Sequence, residues 1–284
     1  MEENMYSDKI GHSSDIDDAM KDALIDSLLV ADLLRCTEKY KNFKIDGKVI
    51  DLPTGYIPPE SPIVSVGGKA VLMGNLNRGM IILTEARSVY ESGIGILAWR
   101  KMTSLQLELF EKIIAEKSRE LQKQGKKQKY RLNMDVDSIA DIVNVVVYTG
   151  KKPWNKKTSL DMKDWVTHPK NYEPETKGAK VWLLDIHGLT DEQLERGGEY
   201  VKAFAAVVKA GKNAKKFDKA IKENNNALSH FHRGLILAVC AETGFVELER
   251  RINAAPTFIV NGMEMVNVCE VWDKMKKTTG TITS

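Results

Sequence analysis

Apolar residues recur at every third or fourth position near the start of the chain, and this spacing predicts an N-terminal helix. The short sequence "SDID" can cap that helix at its beginning. The segment "DLPTGYIPPESP" after it holds four of the eight prolines and is expected to be loop or extended chain. The apolar series of the helix is Ile16, Ala19, Met20, Ala23, Leu24, Leu28 and Ala31.

A β-hairpin is predicted where two apolar runs, "KAVLM" and "GMIILTE", lie on either side of "GNLNRG". Because side chains alternate between the two faces of a strand, Leu83, Glu85 and Arg87 are expected on one face. Position 70 shares that face and is the diagonal neighbour of Glu85, roughly 7–8 Å away at the backbone. The predicted pairs are Met73–Met80, Leu72–Ile81, Val71–Ile82 and Ala70–Leu83.

The patterns further along the chain predict a long helix, two strands and a helical remainder. The helix follows Gly93 and Gly95, and the strands are "IVNVVVYTG" and "KVWLLDIHGL". Thr190 is expected to cap the next helix, with Gln193 as the second arm of a capping box. The apolar face predicted for the long helix consists of Leu97, Leu105, Leu109, Ile113 and Ile114.

This order of elements predicts an α/β fold with a mixed sheet flanked by helices and a helical C-terminal part. The predicted division is an α/β core over residues 1–190 and a mainly helical extension, packed on the core, over residues 191–284. No internal repeat or low-complexity segment interrupts the pattern.

Composition indicates the class of protein but says little about its activity. The 284 residues are 43% hydrophobic and 29% charged, which is ordinary for a soluble globular protein. A net charge of +3 gives no global signal for nucleic acid, so any such signal must be local. The three cysteines are far apart and the start is polar, so we expect a cytoplasmic protein without a signal peptide or a membrane span.

Glu85 is the candidate catalytic residue that the hairpin singles out. A carboxylate at the end of an apolar strand is costly to bury without a partner. Acidic groups at positions 70 and 85 would converge on one divalent ion, which could activate a water molecule, but position 70 is alanine. The residues alone leave a plainer alternative open, in which Glu85 and Arg87 form a strand-end ion pair.

The chain resembles the PD-(D/E)XK nuclease-like transposase family, also called the Rpn or recombination-promoting nuclease group. The resemblance runs from about Asp22 to about Asp273. It is carried by "DALIDSLLVADLL", by "KAVL…IILTEAR", by "VNVVVYTGKKPWNKKTSL" with Gly150 and Trp154, and by "VWLLDIHGLTDEQLERGGEYVKAFAAVVK". The strand followed by the tryptophan loop is the most specific of these stretches.

The resemblance implies a restriction-endonuclease-like core and a DNA endonuclease dependent on Mg²⁺ or Mn²⁺, linked to mobile elements or phage defence. Glu85 takes the position of the family's metal-binding glutamate, Arg87 that of its lysine or glutamine, and Ala70 that of its metal-binding aspartate. Two of these three positions depart from the family pattern. The resemblance therefore implies an inactive or impaired nuclease, with Ala70 as the decisive change.

Several other residues have both a functional and a structural interpretation. Asp32 could approach the metal site from the first helix, or it could pair at a helix surface. His230 and His232 are spaced like ligands on a strand, but packing or surface roles are favoured. Trp154 is expected to pack its loop onto the core rather than to stack on a base. The candidate nucleic-acid-binding residues are Lys151, Lys152, Lys156 and Lys157, and the run Lys209, Lys212, Lys215, Lys216, Lys219 and Lys222 fits phosphate contact or a solvated helix face.

Two hypotheses of different classes follow. In the first, the chain is a nuclease-fold protein with a damaged metal site centred on Glu85. In the second, it is a non-enzymatic component on the same fold that binds DNA or another protein. A homodimer is compatible with both hypotheses.

Overall fold

The computed structural model describes residues 27–43, 49–52, 68–73, 80–87, 93–126, 130–132, 141–154, 160–161, 180–260 and 262–279. The predicted helix before residue 27 and the proline-rich segment lie outside these residues. So do the hairpin turn and two of the predicted DNA-binding residues, Lys156 and Lys157.

A five-stranded mixed sheet forms the α/β part of the protein, as predicted. Its strands follow one another across the sheet in chain order. The first three are antiparallel, and the third, fourth and fifth are parallel. The strands are β1 (Val49–Leu52), β2 (Gly68–Met73), β3 (Met80–Arg87), β4 (Asp141–Tyr148) and β5 (Val181–Asp185).

The register of β2 against β3 is the one that the hairpin pattern predicts. Met73 pairs with Met80 and Ala70 pairs with Leu83. β3 then pairs in parallel with β4, with Leu83 opposite Asn144 and Glu85 opposite Val146. Position 70 therefore falls on the face that carries Leu83 and Glu85.

Helices cover both faces of this sheet. On one face, α1 (Ser27–Arg35) and α3 (Asp191–Ala210) join Ile82 and Ala86 of β3 in the main hydrophobic cluster. On the other face, α2 (Ile94–Lys123) packs against the alternate residues. There Leu105 and Leu109 contact Ile81, Leu83 and Ile142, while Ile94 and Ala98 pack with Val146 and Tyr148. Odd and even positions of β3 thus belong to different cores.

The long helix is confirmed, but its buried face differs from the predicted one. Leu105 and Leu109 are buried as expected. Leu97, Ile113 and Ile114 are only half-buried, and the stripe that faces the sheet is Ile94, Ala98, Lys101, Leu105 and Leu109. The predicted face counted apolar side chains alone, and it therefore missed a lysine within the buried stripe.

The C-terminal region contains helices and also a small sheet that the helical pattern did not predict. Strand β7 (Thr257–Val260) and strand β8 (Met263–Val266) form an antiparallel hairpin, and β8 also pairs with β6 (Phe231–His232). The signal was present as "IVNGME", because Asn-Gly between apolar runs is a strong hairpin signal. The remaining helices are α4 (Ala214–Glu223), α5 (Asn225–Leu228), α6 (Arg233–Thr243), α7 (Val246–Ala254) and α8 (Val268–Thr279).

The start of α3 is the capping box that the sequence predicts. The backbone N–H of Gln193 donates to the hydroxyl of Thr190 at 3.3 Å, and the backbone N–H of Thr190 donates to the Gln193 side chain at 3.0 Å. The regular helix is then interrupted at Gly198, where φ is +79°. A Cβ atom on Gly197 would lie 2.6 Å from the sulfur of Cys36, so α1 approaches α3 closely at this point.

The main hydrophobic cluster crosses the division predicted at residue 190. It contains Leu34 of α1, Val145 of β4 and Phe204 of α3, and it continues to Trp272 of α8. Among the helices that the structure describes, none combines the length and apolar content needed to cross a bilayer.

Candidate functional site

Glu85 lies in a buried cluster of charged side chains at the end of β3. Its carboxylate accepts a hydrogen bond from the ammonium of Lys101 on α2. It also accepts one from Nη2 of Arg87 at 3.1 Å. Glu85 is 5% exposed, Lys101 6% and Arg87 9%. We call these three residues the Glu85 cluster.

The Glu85 cluster forms because strand and helix periodicities bring the three residues together. Glu85 and Arg87 are two residues apart on β3, so they share a face. Lys101 occupies the buried stripe of α2 between Ala98 and Leu105, and this stripe covers the same face of the sheet. Sequence reasoning found Glu85 and Arg87 but missed Lys101. The spacing 98, 101, 105 on an otherwise apolar stripe was the signal that could have identified it.

A buried asparagine adds polarity to the same face. Asn144 is 5% exposed and lies opposite Leu83 in the register of β3 and β4. It is therefore a diagonal neighbour of Glu85 on the face that α2 covers.

The Glu85 cluster does not fit a divalent metal ion. Its one carboxylate accepts hydrogen bonds from two cationic side chains, and the neighbouring position 70 is alanine. Unit charges 4 Å apart at an effective dielectric constant of 20 interact by about 4 kcal/mol, so Lys101 and Arg87 would repel an incoming cation. Among the residues that the structure describes, no three His, Cys, Asp or Glu side chains group together as metal ligands. Among the three side chains of the cluster, two are cationic and one is a carboxylate.

The described contacts of Asp32 lie at the interface between α1 and α3. Its carboxylate pairs with the guanidinium of Arg35 on the same helix. A Cβ atom on Gly198 of α3 would lie 4.0 Å from Asp32 Oδ2. This is the ion pair expected from the structural interpretation of Asp32, and its predicted role at a metal site remains a prediction.

The loop after β4 packs onto the sheet through Trp154, as predicted. Trp154 is 5% exposed, and its ring meets Tyr148 edge to face, with 4.9 Å between the ring centroids. The Tyr148 hydroxyl donates to the carbonyl of Lys152 at 2.7 Å, and the backbone N–H of Trp154 donates to Asp185 Oδ2 at 3.3 Å. Burial raises the pKa of Tyr148, and the charges of Asp185 and Glu242 add to this effect.

This packing places two of the predicted nucleic-acid-binding lysines at the surface. Lys151 and Lys152 are exposed between Gly150 and the buried Trp154. They follow the carboxyl end of β4, which lies beside the carboxyl end of β3. The backbone N–H of Thr149, just after β4, donates to the carbonyl of Arg87 at the end of β3 at 3.0 Å. Ligands commonly bind at the carboxyl ends of parallel strands.

Lys222 of the lysine run and the two histidines make local structural contacts. Asp218 of α4 forms ion pairs with Lys222 at 2.6 Å and with Lys276 of α8 at 2.8 Å. His232 is buried and accepts a hydrogen bond from the backbone N–H of Gly234 at the start of α6. His230 is exposed and meets Phe258 edge to face. His230 lies in a turn and His232 in the short strand β6, rather than in the helix that was expected.

Comparison of the chain with known protein families, with curated proteins and with solved structures gives no match.

Proposed function

We propose that this chain is a nuclease-like protein that binds DNA and in which a buried ion-pair cluster replaces the catalytic metal site. The proposal combines the resemblance to the nuclease-like transposase family with the geometry around Glu85. Under this proposal the chain is a binding protein with impaired or no phosphodiesterase activity. The observation that carries it is the pairing of Lys101 and Arg87 with Glu85.

The arrangement of the sheet supports the nuclease-like part of the proposal. A mixed sheet with helices on both faces is the architecture that the resemblance implies. Glu85 lies two residues before the end of β3, and position 70 falls on the same face of the neighbouring strand. A restriction-endonuclease-like core is therefore the finer fold that we propose.

The charges of the cluster support the loss of metal chemistry. Lys101 supplies a positive charge next to the carboxylate that would otherwise need a metal ion to offset it. Burial strengthens this interaction because few water molecules screen it. A carboxylate held in this way is a poor ligand for Mg²⁺, which prefers free anionic oxygens.

The surface at the carboxyl ends of the strands supports DNA as the partner. Lys151 and Lys152 are exposed on a loop that Trp154 anchors to the core. Exposed lysines on an ordered loop provide the salt-dependent phosphate contacts from which DNA affinity arises.

DNA binding is tested with the purified chain and a labelled duplex at several salt concentrations. The Lys151→Glu/Lys152→Glu variant is expected to weaken binding by about tenfold or more and to reduce the salt dependence. Lys123→Glu is the control, because Lys123 is exposed at the opposite end of α2. The DNA part of the proposal would be overturned if the chain does not bind the duplex, or if Lys123→Glu weakens binding as much as the double variant does. Either result would favour a protein partner.

Cleavage is tested on the same DNA with Mg²⁺ or Mn²⁺. The unmodified chain is expected to be inert, and Ala70→Asp alone is expected to restore little because Lys101 still holds Glu85. Combining Ala70→Asp with Lys101→Met is expected to give metal-dependent cleavage that Glu85→Gln abolishes. Cleavage by the unmodified chain that Glu85→Gln abolishes would show an active nuclease and overturn the proposal. A combined variant that stays inert would show that the cluster is not a replaced metal site.

A further inference from the structure

A second site is suggested by a cavity of about 370 Å³ on the opposite face of the sheet from α2. Its walls come from the residues after β4 and β5 and from the C-terminal ends of α3 and α6. The volume falls within the range of about 300–1,000 Å³ that is typical of small-molecule sites. Neither Glu85, Arg87 nor Lys101 lines it.

The cavity brings together basic residues from separate parts of the chain. Lys151 lies after β4, while Lys209 and Lys212 lie at the end of α3. The Lys209 ammonium donates a hydrogen bond to the carbonyl of Leu189 at 3.0 Å, and this contact fixes the position of the ammonium group. An ammonium group has three hydrogen-bond donors in all. His187 adds a further polar group from the 3-10 helix after β5.

One acidic residue, Glu242 in the last turn of α6, also lines the cavity. A carboxylate at a helix C-terminus is unfavourable because it meets the negative end of the helix dipole, and nearby lysines offset this cost. The three lysines outnumber the single carboxylate, so the side chains that line the cavity carry a formal charge of +2. Thr149 and Thr243 line the same cavity, and the Thr243 hydroxyl donates to the carbonyl of Val239 at 2.7 Å.

We propose that this cavity binds a phosphomonoester group. Such a group carries a charge of about −1.5 to −2 at pH 7 and three acceptor oxygens, which complement the ammonium groups of the three lysines. Glu242 offers an acceptor for a hydroxyl that the ligand brings with it, either on the phosphate or on an attached sugar. The inference does not depend on the Glu85 cluster or on duplex binding.

Two sources share this chemistry, a free nucleotide and the phosphorylated end of a nucleic acid strand. The probes are adenosine 5′-monophosphate, adenosine, inorganic phosphate, and a thymidine oligonucleotide with either a 5′-phosphate or a 5′-hydroxyl. Isothermal titration calorimetry should detect saturable binding of the phosphorylated probes, with inorganic phosphate competing. Whichever phosphorylated probe binds more tightly identifies the source.

Charge reversal at the cavity provides the decisive variant. Lys212→Glu is expected to weaken adenosine 5′-monophosphate binding by about tenfold or more, since it places a like charge beside the phosphate. Lys215→Glu makes the same change in net charge three residues away, at an exposed position of α4 outside the cavity, and should leave binding nearly unchanged.

Three results would overturn the proposal. They are an absence of saturable binding by every phosphorylated probe, equal binding of adenosine and its 5′-monophosphate, and equal weakening by Lys212→Glu and Lys215→Glu. Equal weakening by the two variants would indicate that the phosphate is attracted by the overall charge of the surface rather than bound at a specific site. Because duplex binding is measured separately, failure here leaves the proposed DNA-binding function intact.

Discussion

The ammonium of Lys101 on α2 donates a hydrogen bond to the carboxylate of Glu85 on β3, and both side chains are buried. This contact joins the longest described helix to the strand that carries the candidate catalytic residue. It turns a carboxylate that would be expensive to bury alone into part of a charge-compensated group.

Removal of the lysine charge is expected to destabilise the fold. Lys101→Met keeps an apolar stem but leaves Glu85 with one cation fewer, and we expect a loss of about 3 kcal/mol in the free energy of unfolding. Urea denaturation measures this loss, with Lys112→Met on the exposed part of the same helix as the control. In a double-mutant cycle with Glu85→Gln, the coupling should exceed about 1 kcal/mol. Additive effects would show that the contact contributes no pairwise stabilisation.

The anchoring role of Trp154 predicts a loss of stability without a direct loss of nucleic-acid contact. Trp154→Ala should lower the free energy of unfolding by about 3 kcal/mol, because it removes a buried ring and the edge-to-face contact with Tyr148. Trp154→Phe should cost less. The affinities for single-stranded and duplex oligonucleotides, measured on the folded fraction at low temperature, should change in proportion, because both depend on how the loop holds Lys151 and Lys152. A selective loss of single-stranded binding would instead indicate base stacking.

The cysteines are expected to be unreactive in the native state. All three are buried and free, and burial raises the pKa of Cys36 to about 11. Burial also raises the pKa values of Cys240 and Cys269. Reaction with a disulfide reagent at pH 8 should be at least about 100-fold slower than in urea, where three thiols become available. Rapid reaction of one thiol in the native protein would contradict the packing around that residue.

Asp218 is expected to make stability depend on pH in the acid range. Hydrogen bonds from Lys222, Lys276 and Trp272 hold the pKa of Asp218 well below its ordinary value of 3.8. A lowered folded-state pKa stabilises the protein at pH values above 3.8, and this contribution is lost as the pH falls further through the folded-state pKa.

The comparison variant for this effect is Asp218→Asn. It should be less stable than the unmodified chain at pH 7, and the difference should shrink as the pH falls below 3.8. Thermal unfolding at a series of pH values measures it. A difference that stays constant with pH would show that the carboxylate charge is not the source of stabilisation.

Much of the sheet was predictable because its signals are local. The two apolar runs and the Gly and Asn residues between them predicted the register of β2 against β3, and Thr190 with Gln193 marked the start of α3. The position of Lys101 opposite Glu85 was not predictable in the same way. It depends on the packing of a helix across strands that are distant in sequence, and no local pattern encodes the rotation of that helix about its axis.

The candidate cavity illustrates the same limit. Lys151, His187 and Glu242 are far apart in sequence, and only the folded chain places them around one space. The hairpin formed by β7 and β8 is a different case, because the Asn-Gly signal in its sequence is local and was overlooked within a region of helical pattern.

The adjacent Gly197 and Gly198 make one short stretch of α3 intolerant of substitution. Even a methyl group at position 197 would overlap the Cys36 sulfur, and a side chain at position 198 would have to adopt the left-handed conformation. Relief of the overlap would require the Cys36 side chain, or the chain that follows α1, to move away from α3 and disturb the buried packing there. The most conservative replacement, alanine, would thus be disruptive at a position outside the Glu85 cluster.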